Sequence, residues 1–298
     1  MSDQTITDRA LQFLKPILPP RFRGDVPIVP IVRMSGIIGI SSPLRPGLTL
    51  SGVARTLDRA FKTRHARTVA LLINSPGGSA VQSHLIFKRI RQLSEENELP
   101  VIAFVEDVAA SGGYMIACAA DEIIADTTSI VGSIGVVGGS FGFDKLLRKI
   151  GVERRLYTSG EHKAMLDPFL PEKPDDVQRL KTIQDEIHKF FIELVRERRG
   201  AVLIGPEDQL FSGEFWTGAR GRELGLVDHI GDLRATLRER FGEDVLMPLV
   251  AADRTPFWRR RLGFEAEGRL GFEAEGMGLA SDLISALEAR AVWARYGL

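Results

Sequence analysis

The chain of 298 residues is 44% hydrophobic and 26% charged, the usage of a globular protein, which excludes a disordered or fibrous chain. Its 39 basic and 39 acidic residues give a formal net charge of zero, so we expect no nucleic-acid partner. The single cysteine, Cys118, excludes an internal disulfide and a cysteine-based structural metal site. Its apolar surroundings predict a buried core residue. We expect no metal and no cofactor.

The amino-terminal residues and the apolar segments predict a soluble, cytoplasmic chain with no transmembrane segment. The longest apolar stretch, 130–143, is interrupted by glycines and serines and is shorter than the ~20 residues that span a bilayer. Residues 1–20 lack the basic and apolar regions of a secretory signal. An amphipathic segment at 10–18 is compatible with peripheral contact with the cytoplasmic membrane. The alternative is a proline-rich docking arm over residues 1–25.

Strand and helix patterns alternate from residue 26 onward. The β-branched run 26–40 predicts a first strand and a turn, and apolar spacing predicts a helix over 51–63. A buried strand over 69–73 precedes a second helix over 82–93, and Pro100 then opens a strand over 101–105. This alternation predicts an α/β fold with mainly parallel strands.

The second half of the domain continues the same pattern. An apolar helix is predicted to run to Ala120, followed by a strand over 122–126 and a glycine-rich segment over 129–139. Apolar residues recur at helical spacing over 174–199, which predicts a long amphipathic helix. Residues 211–228 predict a strand or loop with a short helix that closes the domain.

The predicted domain of residues 26–241 is followed by a linker and a terminal helix. The linker, 242–278, contains the octapeptide RLGFEAEG twice in tandem, at 261–268 and 269–276. Two short copies are too few for a solenoid. Residues 279–298 predict a helix whose apolar side chains are spaced for docking.

Two glycine-rich turns, NSPGG at 74–78 and AASGG at 109–113, follow two of the predicted strands. Each turn allows backbone N–H groups to point into a shared cavity, as an oxyanion hole requires. The alternative is that both are ordinary tight turns of an α/β fold. Ser111, in the second turn, is correspondingly either a nucleophile or the N-cap of the following helix. A Ser-His-Asp arrangement lacks a recognisable partner motif, which leaves His162 as a candidate base.

Five motifs in order resemble the signal peptide peptidase A family of serine peptidases, in the Clp protease and crotonase superfamily. They are NSPGG, AASGGYMIACAADEI, VGSIGVV, SGEHKAML and GLVDHIG. They begin at Asn74 and cover about half of the chain, with order and spacing preserved. The resemblance implies a single protease domain with a repeated β-β-α superhelix and a mainly parallel sheet.

The same resemblance implies roles for individual residues. Ser111 corresponds to the nucleophile and Lys163 to the general base. Ser133 corresponds to a residue that orients the lysine amine, and Gly78 and Gly112 to the oxyanion-hole donors. A lysine is a base only as the neutral amine, which burial in an apolar pocket favours.

The resemblance further implies a ring-shaped homo-oligomer whose active sites lie at subunit boundaries. Its substrate is expected to be an extended or unfolded peptide or protein, hydrolysed through an acyl-enzyme. Two alternatives stay open at this stage. A crotonase-type acyl-CoA enzyme uses similar N–H donors, although the turn at Gly78 lacks a suitable glutamate. A catalytically idle scaffold binds peptides without cleaving them.

Overall fold

The computed structural model describes residues 26–39, 47–251 and 290–297. The amino-terminal arm, the tandem octapeptides and most of the predicted terminal helix therefore lie outside the described residues. Within the described part, no helix is long and apolar enough to cross a membrane.

The centre of the fold is a mainly parallel sheet. Its strands in the described ranges are β1 (Ile31–Ser35), β2 (Val69–Ser75), β3 (Val101–Ala110), β4 (Glu122–Ala125), β5 (Ile130–Gly132), β6 (Phe215–Thr217) and β7 (His229–Ile230). The order is β1-β2-β3-β4-β7, and β5 pairs with both β3 and β6. The pairing of β5 with β6 is antiparallel, and the others are parallel. The predicted α/β class with mainly parallel pairing is confirmed.

Helices connect the strands. Those of the described ranges are α1 (Leu50–Phe61), α2 (Ala80–Asn97), α3 (Gly112–Ala117), α4 (Asp144–Lys149), α5 (Pro174–Arg199), α6 (Glu207–Leu210), α7 (Gly218–Glu223) and α8 (Leu233–Phe241). The bounds predicted for α5 are confirmed. The prediction for α3 was too long, because the amides of Ala119 and Ala120 donate to carbonyls three residues earlier and close a tight turn.

The longest strand, β3, leads directly into the turn at Ser111. The predicted strand ended at residue 105, because Glu106 and Asp107 interrupt its apolar run. In the structure Arg33 on β1 donates to Glu106 at 2.5 Å, and Asn74 at the end of β2 donates to Asp107 at 2.6 Å. These bonds keep the polar residues within the sheet. The first half of β3 then pairs with β4 and its second half with β5.

Apolar side chains cover both faces of the sheet. One face packs under α1, α2, α3 and α5, and the other packs under α8. Cys118 lies in the first core, where burial raises the pKa of its thiol to about 12. The predicted core role of this cysteine is therefore confirmed.

The carboxyl end of α5 is anchored to the core by a buried arginine. Arg199 is 5% exposed and donates to both carboxylate oxygens of Asp228, at 2.7 and 2.9 Å. Arg199 also donates to the carbonyl of Gly225, and Asp228 accepts from the amide of Ile123 on β4. Breaking such a buried pair leaves an uncompensated charge, so the pair fixes how α5 lies against the sheet.

Residues 245–250 run alongside β1. The amides of Val29 and Ile31 donate to the carbonyls of Leu246 and Pro248, and the amide of Val250 returns a bond to Ile31. The first residues of the predicted linker therefore cover the edge of β1.

Candidate active site

The turn after β2 requires glycine at two successive positions. Gly77 has φ +98°, and a Cβ there would lie 2.8 Å from the Cβ of Ser111. Gly78 has φ +142°, and a Cβ there would lie 2.2 Å from the carbonyl oxygen of Ile38. The amide of Ile38 donates to Gly77, and the amide of Ser79 donates to Ile38. This close approach of two backbones holds the 75–78 turn beside Ser111.

Ser111 occupies a strained turn between β3 and α3. Its φ of 52° and ψ of −122° lie in a region that glycine favours. Its side chain forms no capping bond to α3, so the N-cap interpretation is not supported. Its amide donates to the carbonyl of Gly132 at 2.8 Å, which ties the turn to the end of β5. The backbone of Ser111 is therefore held in place, and its hydroxyl does not cap the helix.

Ser133 follows β5 and, like Ser111, has a positive φ. Its φ is 54°, it is 5% exposed, and its amide donates to the carbonyl of Glu214 at 2.6 Å. At the preceding Gly132, a Cβ would lie 2.7 Å from the ring of Trp216 on β6. The Ser133 hydroxyl contacts the phenol of Tyr296 at 3.3 Å instead of a backbone group.

These turns open into one cavity of about 550 Å³. Four of the five residues predicted for the site line it: Gly78, Ser111, Gly112 and Ser133. The rest of the wall is mostly apolar, and it comes from α3, the segment after Ser133, α5, the loop before β6 and the carboxyl-terminal residues. Its members include Met115, Val136, Val137, Ile187, His188, Phe191, Gly213, Val292, Arg295 and Tyr296.

The amides of Gly78 and Gly112 are open to this cavity. Neither N–H group donates to another group in the described part of the chain. At Gly112 a Cβ would lie 2.2 Å from the hydroxyl oxygen of Ser83, so no side chain fits there. Two unpaired donors beside a fixed serine hydroxyl form the arrangement that stabilises a developing oxyanion.

Lys163 does not line the cavity. It lies in a turn over residues 160–166, its amide donates to the carbonyl of Gly160, and its side chain is exposed. Among the described residues its amine forms no hydrogen bond or ion pair. His162, the other candidate base, is also exposed and lies 4.0 Å from Glu161. A single copy of the chain therefore brings neither base into the cavity with Ser111.

His188 lines the cavity, although no motif of the sequence selected it. It lies on α5, and its Nε2 is 3.0 Å from the carbonyl oxygen of Ile134. That contact supports the segment immediately after Ser133. The sequence feature that could have identified His188 is its position between Ile187 and Phe191, two apolar residues on the side of α5 that faces the cavity.

No carboxylate side chain lines this cavity in the described ranges. A crotonase-type reaction needs acidic and basic groups close to an acyl-CoA thioester, and the acyl-CoA alternative assigned that work to carboxylates. The lining residues offer hydroxyls, a histidine and an arginine instead. The geometry therefore favours chemistry at Ser111 over chemistry on an enolate.

Residues 94–242 match the sequence model of Peptidase family S49. The chain belongs to this family. The resemblance to the signal peptide peptidase A family is thereby confirmed. The match includes Ser111, Ser133 and Lys163, and it begins after Gly78.

Several curated proteins are similar to the chain. The chloroplastic serine protease SPPA of Arabidopsis thaliana is 30% identical over 69% of this chain and 31% of its own length. A putative protease of Synechocystis is 33% identical over 62% of this chain and 67% of its own length. A Brucella abortus protein named Na(+)/H(+) antiporter NhaA is 50% identical over 96% of this chain and 39% of its own length. The chain spans less than half of that relative, so the antiporter name is not transferred to it.

If Gly78 is an oxyanion-hole donor, as the resemblance implies, its substitution by alanine is expected to slow peptide hydrolysis about 10²–10³-fold, the usual effect of losing one such donor. The new Cβ would lie 2.2 Å from the carbonyl oxygen of Ile38, so the turn must move. Steady-state kinetics on a fluorogenic peptide measures the loss in kcat. Gly36→Ala is the matched control, because Gly36 also has a positive φ but has open space around it. An equal kcat for Gly78→Ala and Gly36→Ala would contradict the role of Gly78 as an oxyanion-hole donor.

Proposed function

We propose that this protein is a serine endopeptidase that uses Ser111 as nucleophile and Lys163 as general base. The observation that carries the proposal is the strained, uncapped Ser111 beside two unpaired backbone donors. Ser111 Oγ attacks the scissile carbonyl carbon as its proton passes to the neutral lysine amine. The oxyanion is bound by the amides of Gly78 and Gly112. The lysine ammonium then protonates the leaving amine, and water hydrolyses the acyl-enzyme.

The base is supplied by a neighbouring copy of the chain in this proposal. Lys163 is exposed on its own subunit, and so are several apolar side chains of residues 137–152. Val137 is 74% exposed, Phe141 74%, Ile150 60% and Val152 51%. Large apolar side chains left this exposed are typical of a surface that another protein covers. A ring of copies that covers them would place each Lys163 in an apolar site beside a neighbour's Ser111 and Ser133.

The substrate is proposed to be an extended or unfolded peptide. Residues 135–137 line the cavity, and their backbone N–H and C=O groups form no hydrogen bond with other described residues. An extended peptide can pair with such a segment through its main chain, which places its bonds near Ser111 without demanding one sequence. Signal-peptide remnants and cytoplasmic polypeptides both fit this chemistry. The cytoplasmic location stays a prediction.

The proposal is tested with a fluorophosphonate probe and a panel of fluorogenic peptides. We expect the probe to label one residue, Ser111, when the labelled protein is digested and sequenced by mass spectrometry. Ser111→Ala should lose both labelling and peptide hydrolysis. The matched control Ser51→Ala removes an exposed hydroxyl in α1 and should retain both. Failure of the wild type to label or to hydrolyse any peptide would favour the idle scaffold.

A further inference from the structure

The carboxyl-terminal residues 290–297 cover part of the Ser111 cavity. Tyr296 is 8% exposed, and its ring packs edge-on against Phe215 of β6, with centroids 5.1 Å apart and planes at 66°. Val108 and Ala110 of β3 complete the apolar cluster beneath the ring. An aromatic ring held in this way buries a large apolar area, so the segment is docked and not merely adjacent.

The phenol of Tyr296 points at Ser133. Its oxygen is 3.3 Å from Ser133 Oγ and 3.5 Å from the carbonyl oxygen of Pro76. Both distances are long for a hydroxyl hydrogen bond, whose usual range is about 2.5–3.0 Å. The ring therefore supplies most of the docking energy, and the polar contact supplies a smaller part.

Tyr296 is shared by two cavities. It lines the cavity that contains Ser111, of about 550 Å³, and a neighbouring cavity of about 620 Å³ between β3 and α8. The docked ring is therefore part of the wall of both spaces, and in the Ser111 cavity it contacts Ser133.

We propose that the Tyr296 phenol occupies the position at Ser133 that the Lys163 amine takes in the active enzyme. The docked carboxyl-terminal segment and an assembled Ser111–Lys163 pair therefore exclude each other. This inference rests on the proposed function, in which Ser133 orients the lysine. The phenol contacts the Ser133 hydroxyl inside the same cavity, and that hydroxyl is the group that a lysine ammonium or amine would bind. A neighbour's Lys163 can reach Ser133 only when the ring leaves.

The exchange is an equilibrium between two states of one chain. Docking is stabilised by the burial of the Tyr296 ring, and assembly would be stabilised by covering the exposed apolar residues of 137–152. Anything that weakens docking therefore shifts the population towards the assembled, active state. Removing the phenol oxygen alone should shift the equilibrium about two- to tenfold, the range expected for one hydrogen bond.

The first test is peptide hydrolysis as a function of protein concentration. We expect Tyr296→Phe to reach half-maximal specific activity at a concentration about two- to tenfold lower than the wild type. Tyr296→Ala, which also removes the ring, should shift it further in the same direction. Arg290→Ala, an exposed change in the same segment, is the control and should not shift it. Unchanged or higher half-maximal concentrations in both Tyr296 variants would overturn the inference.

A second measurement follows the ring itself. The chain has three tyrosines, of which Tyr114 is fully buried and Tyr157 is 89% exposed, so 3-fluorotyrosine gives three distinguishable fluorine environments. We expect the Tyr296 resonance, assigned with Tyr296→Phe, to move towards that of exposed tyrosine as assembly proceeds. In an assembled Lys163→Ala protein it should stay in its buried position, since no amine competes for Ser133. A resonance that stays buried in the active wild-type assembly would overturn the inference.

The two measurements also separate this inference from the proposed function. If no variant hydrolyses peptides at any concentration, the proposed function fails, and with it the role given to Lys163. If hydrolysis depends on Ser111 and Lys163 but the Tyr296 resonance does not respond to assembly, only the exclusion between Tyr296 and Lys163 fails.

Discussion

Ser111→Gly is expected to abolish peptide hydrolysis and at the same time to raise the free energy of unfolding by about 1 kcal/mol. The reason is the backbone of Ser111, whose φ of 52° and ψ of −122° strain any residue with a Cβ. Glycine relieves that strain, although it also makes the unfolded chain more flexible, which reduces the gain. The hydroxyl caps no helix, so its removal should cost little stability.

Urea denaturation followed by circular dichroism measures this change. Ser111→Ala is the matched control, because it removes the same hydroxyl but keeps the Cβ and the strain. We expect both variants to be inactive and the glycine variant alone to have a higher denaturation midpoint. Equal midpoints would show that the turn stores no strain at this position. A stable but inactive glycine variant would mean that the strained serine is kept for catalysis at the expense of stability.

The local features of the site could be predicted from the sequence, because each depends on a few adjacent residues. Glycines after short apolar runs indicated turns at Gly78 and Gly112, and the structure shows that larger side chains would collide there. The resemblance of motifs then selected Ser111 and Ser133, which line one cavity. Parallel pairing places the ends of β2, β3 and β5 at one edge of the sheet, so their turns meet.

Features that depend on distant contacts could not be predicted in the same way. Tyr296 contacts Ser133 across 163 residues of sequence, and no local pattern encodes such a pairing. His188 lies on a helix whose bounds were predicted correctly, but which of its side chains face inward depends on how α5 lies on the sheet. That orientation is fixed by the Arg199–Asp228 pair, which motif analysis did not detect. The end of β3 was missed for a related reason, since partners on β1 and β2 retain its two acidic residues.

Co-assembly of Ser111→Ala and Lys163→Ala chains is expected to restore peptide hydrolysis that neither variant has alone. Each site is proposed to combine Ser111 of one copy with Lys163 of its neighbour. In a mixed ring, a Lys163→Ala copy provides an intact serine and an adjacent Ser111→Ala copy provides an intact lysine. Random mixing at equal amounts should regenerate about a quarter of the sites. Each active site needs a Lys163→Ala copy to supply the serine and a Ser111→Ala copy to supply the lysine, and each of the two occurs with a probability of about one half.

Co-expression with two different affinity tags, followed by purification through both tags, yields the mixed assemblies for kinetic measurement. The control is Ser111→Ala co-expressed with a Ser111→Ala, Lys163→Ala double variant, which contains no intact serine and should stay inactive. No recovery in the mixed assembly would require Lys163 to reach Ser111 of its own chain by a rearrangement of residues 135–173. Recovery would instead explain why Lys163 is exposed on a single copy: its partner serine, and the burial that favours its neutral amine, belong to the neighbouring subunit.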